Sequence, residues 1–145
     1  MNWDEVLALV ATPRYEVFSH MMTPPWKDGE TLLDWMKGRV PGKGSTQVAR
    51  ELAESRRVLE AKLRRPVPYL AWPVGLYDED LIRLAVEAGY RGLFTAESGV
   101  NLSGGDPLRI RRTNINGACD DSVFISILAD GIRRDCLSED PPQID

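Results

Sequence analysis

The stretch PYLAWPVGLYDEDLIRLAVEAGYRGLFT, residues 68–95, decides the fold. Tyr69-Leu70-Ala71-Trp72 is a continuous apolar run of strand length, the pattern of a strand buried on both faces. Pro73-Val74-Gly75 turns the chain. Asp78 then starts a helix whose apolar residues are Leu81, Ile82, Leu84, Ala85 and Ala88, and Gly89 ends it. Asp78, Glu79 and Asp80 read as the cap and acidic first turn of that helix, where the helix dipole favours carboxylates, rather than as a metal cluster. Gly92-Leu93-Phe94-Thr95-Ala96 is the next strand. For Trp72, in the middle of the apolar run, core packing is the favoured role.

Working upstream, residues 46–64 form a clear helix, with Val48, Leu52, Leu59 and Leu63 at helical spacing and Ser55 filling the gap in the stripe. Arg56–Glu60 and Glu60–Arg64 read as solvated charges on its wet face. Residues 21–45 are irregular and punctuated by Pro24, Pro25, Gly29, Gly38 and Pro41, with a short helix at 31–37 carrying Leu32, Leu33, Trp35 and Met36. Trp26 and Trp35, in this segment, are open to stacking on sugar rings. Tyr15-Glu16-Val17-Phe18 reads as a strand with Ser19-His20 at its C-terminal end. Before it, Asn2 caps a helix with Asp4 and Glu5 in its first turn, Val6, Leu7, Leu9 and Val10 on its apolar face, and Thr12-Pro13 as its stop.

Working downstream, the glycine-rich segment 99–105 is no phosphate loop, because no Gly-Lys-Ser/Thr follows it. A strand is expected near 108–115; alternation puts Arg109 and Arg111 on one of its faces and Arg112 on the other. A last helix is expected over 121–132, and an acidic, proline-bearing tail of little order over 133–145. Strands thus alternate with helices, which argues for an α/β fold with a largely parallel sheet or barrel. In such folds the chemistry sits at the C-terminal ends of the strands. Those ends carry Ser19-His20, Trp72-Pro73-Val74-Gly75, Thr95-Ala96-Glu97 and Arg112-Thr113-Asn114.

The 145 residues suit one domain, and 43% hydrophobic with 28% charged residues is ordinary for a globular chain. Eighteen basic against twenty-two acidic residues give a net charge of −4, which argues against a general nucleic-acid binder. No apolar run reaches membrane-span length, and residues 1–12 do not have the form of a signal peptide. Cys119 and Cys136 share no metal-ligand spacing and are expected as free thiols. His20 is the single histidine, so no site of several histidines can come from one chain. Read from the residues alone, His20 serves as readily as a structural hydrogen-bonding residue as a ligand, and Pro73-Val74-Gly75 as a plain tight turn.

Residues 68–95 resemble the segment of polysaccharide deacetylases in which an apolar strand ends in a Tyr/Trp-Pro-x-Gly-x-Tyr turn. In that family a helix ending Ala-Gly-Tyr/Phe then leads to a strand ending Phe-Thr. Tyr15-Glu16-Val17-Phe18-Ser19-His20 resembles the family's strand into its first metal-ligand histidine, and Met1-Asn2-Trp3 the helix start before it. Gly104-Gly105-Asp106-Pro107-Leu108-Arg109-Ile110-Arg111-Arg112 resembles the loop into a late strand. The resemblance covers residues 1–132 and leaves 133–145 as a separate tail.

The resemblance implies the C-terminal part of such a domain: an α/β fold, an incomplete, distorted (β/α) barrel with largely parallel strands. It implies a metal-dependent hydrolysis of N-acetyl groups on amino-sugar polymers. A divalent, zinc-type metal held by an aspartate and two histidines polarises the acetyl carbonyl and activates water, and a second aspartate is the base. In the family's H-x-x-x-H pair the first position is His20 and the second is Pro24, which has no ligand atom. The aspartate pair belongs to a strand before the segment matching Met1-Asn2-Trp3, Ala71 stands where many members have an arginine, and the late histidine has no counterpart. The resemblance further assigns the backbone N–H of Val74 as oxyanion donor, with Pro73 and Gly75 fixing that backbone. Trp26, Tyr77 and Arg112 would meet substrate, and His20 would be the remaining metal ligand.

A chain with that inventory is expected to be inactive alone and to bind no metal by itself. The alternatives are a non-catalytic glycan- or protein-binding module on the same fold, and an unrelated α/β domain. The expected partners are an amino-sugar polysaccharide and a second copy or another chain that completes the barrel; no nucleic acid and no membrane span are expected. The family usually works outside the cytoplasm, whereas no export signal is read here, so the compartment stays open.

Overall fold

The computed structural model describes residues 2–23, 25–115, 117 and 119–131, and of residues 26 and 27 the backbone alone. Pro24, Cys136 and the expected tail 133–145 lie outside the described residues. Helix α1 (Trp3–Val10) opens on a reciprocal cap: Asn2 Oδ1 accepts from Glu5 N at 3.0 Å, and Asn2 N donates to Glu5 Oε2 at 2.7 Å. None of its residues is buried. Helix α2 (Leu32–Met36) has the same kind of cap from Thr31 and Asp34, and it buries Leu32 and Trp35. Trp35 is not available to a sugar ring: it is a core residue whose Nε1 donates to Glu30 Oε2 at 2.6 Å, with the Lys43 ammonium 3.8 Å from its ring centroid.

Helix α3 (Ser45–Leu63), strand β1 (Tyr69–Ala71), helix α4 (Glu79–Glu87) and strand β2 (Gly92–Phe94) make the centre of the fold. β1 and β2 pair in parallel, Tyr69 with Gly92, Leu70 with Leu93 and Ala71 with Phe94. Single parallel bridges extend the sheet on both sides, Ser19 to Leu70 and Phe94 to Ile110. The chain therefore crosses an open sheet in the order Ser19, β1, β2, Ile110, always in one direction. Parallel neighbours need a long return, and α3 and α4 provide it, lying side by side. Between them and the sheet lie Val48, Leu52, Leu70, Leu81, Ala85 and Leu93, all fully buried. Burying each large aliphatic side chain here is worth about 1.5–3 kcal/mol. On the opposite face Phe18, Tyr69 and Phe94 meet edge to face, with centroids 4.8 and 5.9 Å apart, and stay half-exposed.

Two expected strands are shorter than their sequences suggest. Residues 15–18 form no strand, and pairing on that side is limited to Ser19. Continuing the Ser19–Leu70 register sets residue 17 opposite Pro68 and its N–H toward the carbonyl of Val67, whose backbone is already engaged: its N–H donates to Glu60 Oε1 at 3.1 Å, and its carbonyl accepts from Arg56 Nε at 3.3 Å. Residues 108–115 likewise form no strand. Asp106 Oδ1 accepts from Leu108 N at 2.8 Å and sets up a 3-10 turn over Pro107–Arg109, after which Ile110 pairs. The outward-facing N–H and carbonyl of Arg111 are then both taken by the side chain of Asn101, at 2.8 and 2.9 Å.

The Arg56–Glu60 pair is consequently no solvated ornament. Its ion pair is 2.9 Å long, both side chains are about 30% exposed, and Arg56 Nη1 also donates to the carbonyl of Ala88 at the end of α4, at 3.0 Å. Helix α5 (Asp121–Asp130), capped by Asp120 and ended by Gly131, buries Ile127 and leaves Phe124, Ile125 and Leu128 exposed. Cys119, just before it, is disulfide-bonded rather than a free thiol, a spatial approach that spacing along the chain does not reveal.

Arg56→Ala strips hydrogen bonds from two backbone carbonyls and leaves Glu60 without its guanidinium, and is expected to cost about 1–3 kcal/mol of unfolding free energy. Arg57→Ala, which removes an exposed ion pair to Glu54, is expected to leave stability unchanged. Urea denaturation of the two variants checks the contrast.

Candidate functional site

A cavity of about 410 Å³ opens at the C-terminal ends of the parallel segments, lined by His20, Trp72, Val74, Gly75, Ala96, Arg112, Thr113 and Asn114. Each segment of the sheet delivers its own residue to the rim. His20 follows Ser19, whose hydroxyl donates to Ser55 Oγ at 3.1 Å; Ser55 in turn meets Tyr90 Oη at 2.9 Å, and both reach the carbonyl of Leu52. This buried hydroxyl chain holds the residue before His20 against α3. The imidazole Nδ1 donates to the carbonyl of Ala71 at 2.8 Å. A carbonyl can only accept, so Nδ1 carries a proton.

The turn at Pro73–Gly75 is strained. Val74 has φ 48° and ψ 11°, a left-handed conformation that a β-branched side chain rarely adopts. Gly75 follows at φ 72°, and a Cβ there would fall 2.3 Å from that of Ala96. Pro73 is buried behind the turn, and Val74 is 58% exposed at its tip. Backbone strain of this kind persists where the surroundings over-determine it, and it concentrates at working sites. The surroundings here are the Gly75–Ala96 contact and the ring of Tyr77, which stacks on Trp72 at 6.1 Å while its hydroxyl donates to Glu97 Oε1 at 2.5 Å. Burial first, and the Glu97 carboxylate second, push the Tyr77 phenol above its ordinary pKa.

Trp72 is fully buried, as expected of a core residue, yet its indole N–H has no acceptor. Arg112 Nε donates to the carbonyl of Thr95 at 2.7 Å, and its backbone N–H to that of Glu97 at 3.0 Å. Arg109 is engaged elsewhere, by Glu79 and by Asp106, and its guanidinium is held more firmly protonated by both. Arg109 and Arg111 line a separate cavity beneath the glycine-rich loop, so the division of the three arginines holds although no strand forms.

Of the residues singled out from sequence, His20, Val74, Gly75 and Arg112 meet around the cavity. Pro73 stands behind it and Tyr77 beside it, through Trp72. Trp26 lies in the 3-10 turn Pro25–Asp28, and its side chain is outside the described residues. Sequence reading missed the hydroxyl chain under His20 and the Glu97–Tyr77 tether, neither of which has a spacing signature. Among the described residues no three or more His, Cys, Asp or Glu side chains gather in a way that could hold a metal ion.

The family model of polysaccharide deacetylase matches residues 1–93. No curated protein sequence matches significantly. Among solved structures, IcaB from Ammonifex degensii superposes with a TM-score of 0.70 at 18% identity, over 88% of this chain and 52% of that one. The Streptococcus pyogenes deacetylase PplD, in complex with acetate, gives 0.70 at 14% identity, over 87% and 50%. The BpsB deacetylase domain from Bordetella bronchiseptica gives 0.62 at 16% identity, over 78% and 48%. The chain thus spans about half the length of these three solved structures.

The geometry of the turn predicts opposite signs for neighbouring substitutions. Val74→Gly relieves a left-handed β-branched residue and is expected to stabilise the fold by up to about 1 kcal/mol. Gly75→Ala drives a methyl into Ala96 at positive φ and is expected to cost about 1–3 kcal/mol. Thermal or urea unfolding of the pair reads both.

Proposed function

The chain belongs to the polysaccharide deacetylase family, and on that premise we propose that its cavity descends from the groove of an amino-sugar N-deacetylase and does not turn over substrate on this chain alone. The fold is then part of a distorted (β/α) barrel, a reading supported by parallel segments that follow one another in chain order with their return helices packed together. The ligand class is an N-acetylated amino-sugar polymer. Val74 offers its backbone N–H to an acyl oxygen from a turn that Pro73 and Gly75 hold, and Arg112, Tyr77 and Trp26 border the polymer.

The family's reaction uses a divalent, zinc-type metal as Lewis acid. His20 suits such an ion, with its proton fixed on Nδ1 by Ala71. One imidazole is nevertheless short of the three protein ligands of catalytic zinc and the four of structural zinc. The described donor set does not fit the metal, and no step is assigned through it. That donor set is the observation that carries the reading. A second reading, a module that binds glycan or protein through the same groove without chemistry, is favoured by a lining that, among the described residues, contains no acidic side chain.

Acetate release from N-acetylglucosamine oligomers, with Zn²⁺, Co²⁺ or Ni²⁺ supplied, is expected to stay at background. Turnover that disappears in His20→Ala would overturn the proposal.

The proposal extends to assembly, since the sheet has helices on one face and half-exposed aromatic rings on the other. Parallel sheets are normally covered on both sides. Trp3 and Leu7 on α1, and Phe124, Ile125 and Leu128 on α5, add exposed apolar surface. The chain is therefore expected to pair with a second copy or with a chain that supplies further strands. Light scattering coupled to size exclusion tests this: a monodisperse species of one-chain mass with a cooperative thermal transition contradicts it.

A further inference from the structure

We propose that Cys136 is the disulfide partner of Cys119, that the bridge straps helix α5, and that a dithiol opens the strap and frees the helix together with the cavity rim it supports. The inference needs neither turnover nor the deacetylase reading of the site. Its first observation is that Cys119 is disulfide-bonded in a chain with a single other cysteine, Cys136. Cys119 is half-buried one residue before the Asp120 cap of α5, and Cys136 follows Gly131, the end of that helix, by five residues. Chain reach sets the path. The helix of ten residues is about 15 Å long. Five extended residues span about 17 Å, and bridged α-carbons stand within about 7 Å of each other. A segment 132–135 that turns back along α5 meets both limits and brings Cys136 to the N-terminal end of the helix, beside Cys119.

The second observation is how little else holds α5. It buries Ile127 and leaves Phe124, Ile125 and Leu128 exposed. Among the described residues no other helix or strand packs along it to the extent that α3 packs against α4. A helix of ten residues with so few apolar contacts is marginal by itself. A cross-link between its two ends steadies it by removing loop entropy from the opened state. The third observation is where its C-terminal end is tied. The Gly131 carbonyl accepts from Thr113 Oγ1, and the same hydroxyl oxygen accepts from Gly99 N at 3.1 Å. A Cβ at Gly131 would fall 2.7 Å from Cγ1 of Val100, so the helix end is seated closely on the glycine-rich loop. Thr113 also lines the strand-end cavity, beside Arg112 and Asn114. Helix α5 therefore joins the strap to the cavity rim. The core formed by Val48, Leu52, Leu70, Leu81 and Leu93 lies elsewhere and does not include Cys119.

Opening the strap is a thiol–disulfide exchange. One thiolate of the dithiol attacks a sulfur of the bridge and releases the other sulfur as a thiolate, and the second thiol resolves the mixed disulfide. The S–S bond breaks, two electrons pass from the dithiol, its two protons end on Cys119 and Cys136, and the dithiol becomes a disulfide. The test uses the full chain. Proteolysis without reductant, read by mass spectrometry, is expected to give a peptide that links Cys119 to Cys136 within one chain. Hydrogen exchange with and without dithiothreitol then follows the amides. Those of 123–131 are expected to lose roughly hundredfold in protection on reduction, the scale for a closed loop of this size. The Gly99 amide, tied to Thr113, is expected to lose several-fold, those of α3 and α4 to stay unchanged, and reoxidation to restore the first pattern. Cys136→Ser is expected to match the reduced wild type and to ignore dithiothreitol. In Thr113→Val the reductant is expected to loosen α5 without reaching Gly99. The inference is overturned if the bridge is missing or joins two chains, or if reduction leaves α5 and Gly99 as protected as before. Loss of protection in α3 and α4 to the same degree overturns it too, since the bridge would then be a staple of the whole fold and not a local strap.

Discussion

Three buried hydroxyls, on Ser19, Ser55 and Tyr90, tie the first parallel segment to α3 and to the approach of β2. Much of the rest depends on them. Ser19 is the residue of its segment that pairs with β1, so its position sets where the sheet's first edge runs. It also precedes His20, and so sets where the imidazole meets the carbonyl of Ala71. Each hydroxyl in the chain has a partner, which is what allows polar atoms into a core otherwise made of Val48, Leu52, Leu81 and Leu93. Loss of any one of them would strand its neighbour in that apolar setting, where an unmet hydrogen bond costs more than a made one contributes.

The cavity is shaped by a different constraint, the closeness of two small residues. Gly75 and Ala96 touch where the turn after β1 meets the loop after β2, and nothing larger fits at Gly75. That contact pins the turn while Tyr77 pins its far side, and Val74 is left in a conformation its side chain does not favour. Rigidity at the rim thus comes from packing beneath it. A backbone N–H held this way points in a fixed direction whatever side chain stands at the position.

The helices were legible because their signals are local. The Asn2 cap, the Asp78 cap and the Gly89 stop are each contained within a few residues, and each formed as read; the Thr31–Asp34 box is equally local but was not read. The two central strands were legible from apolar continuity. What escaped was decided across the chain. Residues 15–18 carry a good strand pattern but lack a free neighbour, because Arg56 and Glu60 claim the backbone of Val67. Residues 108–115 lose their start to the Asp106-Pro107 turn. The same pair of charges, read as solvated, proved to be a clamp, and Trp35 proved to be core because Glu30 satisfies its indole. At the site, His20, the Pro73–Gly75 turn and Arg112 could be named from strand-end logic and resemblance. The unmatched indole of Trp72 could not, since a missing partner is a property of the packed state.

The side chain of Asn101 occupies both outward backbone groups of Arg111, as a neighbouring strand would. The opposite side of the sheet, beyond Ser19, has no paired segment among the described residues. Among the described residues the two edges are therefore unequal: the one at Arg111 is capped and the one at Ser19 is receptive. If two copies join through their receptive edges, both are used up and the capped edges face outward, so strand addition ends at a closed pair and not in a fibre. One carboxamide thus acts as a chain terminator for the sheet.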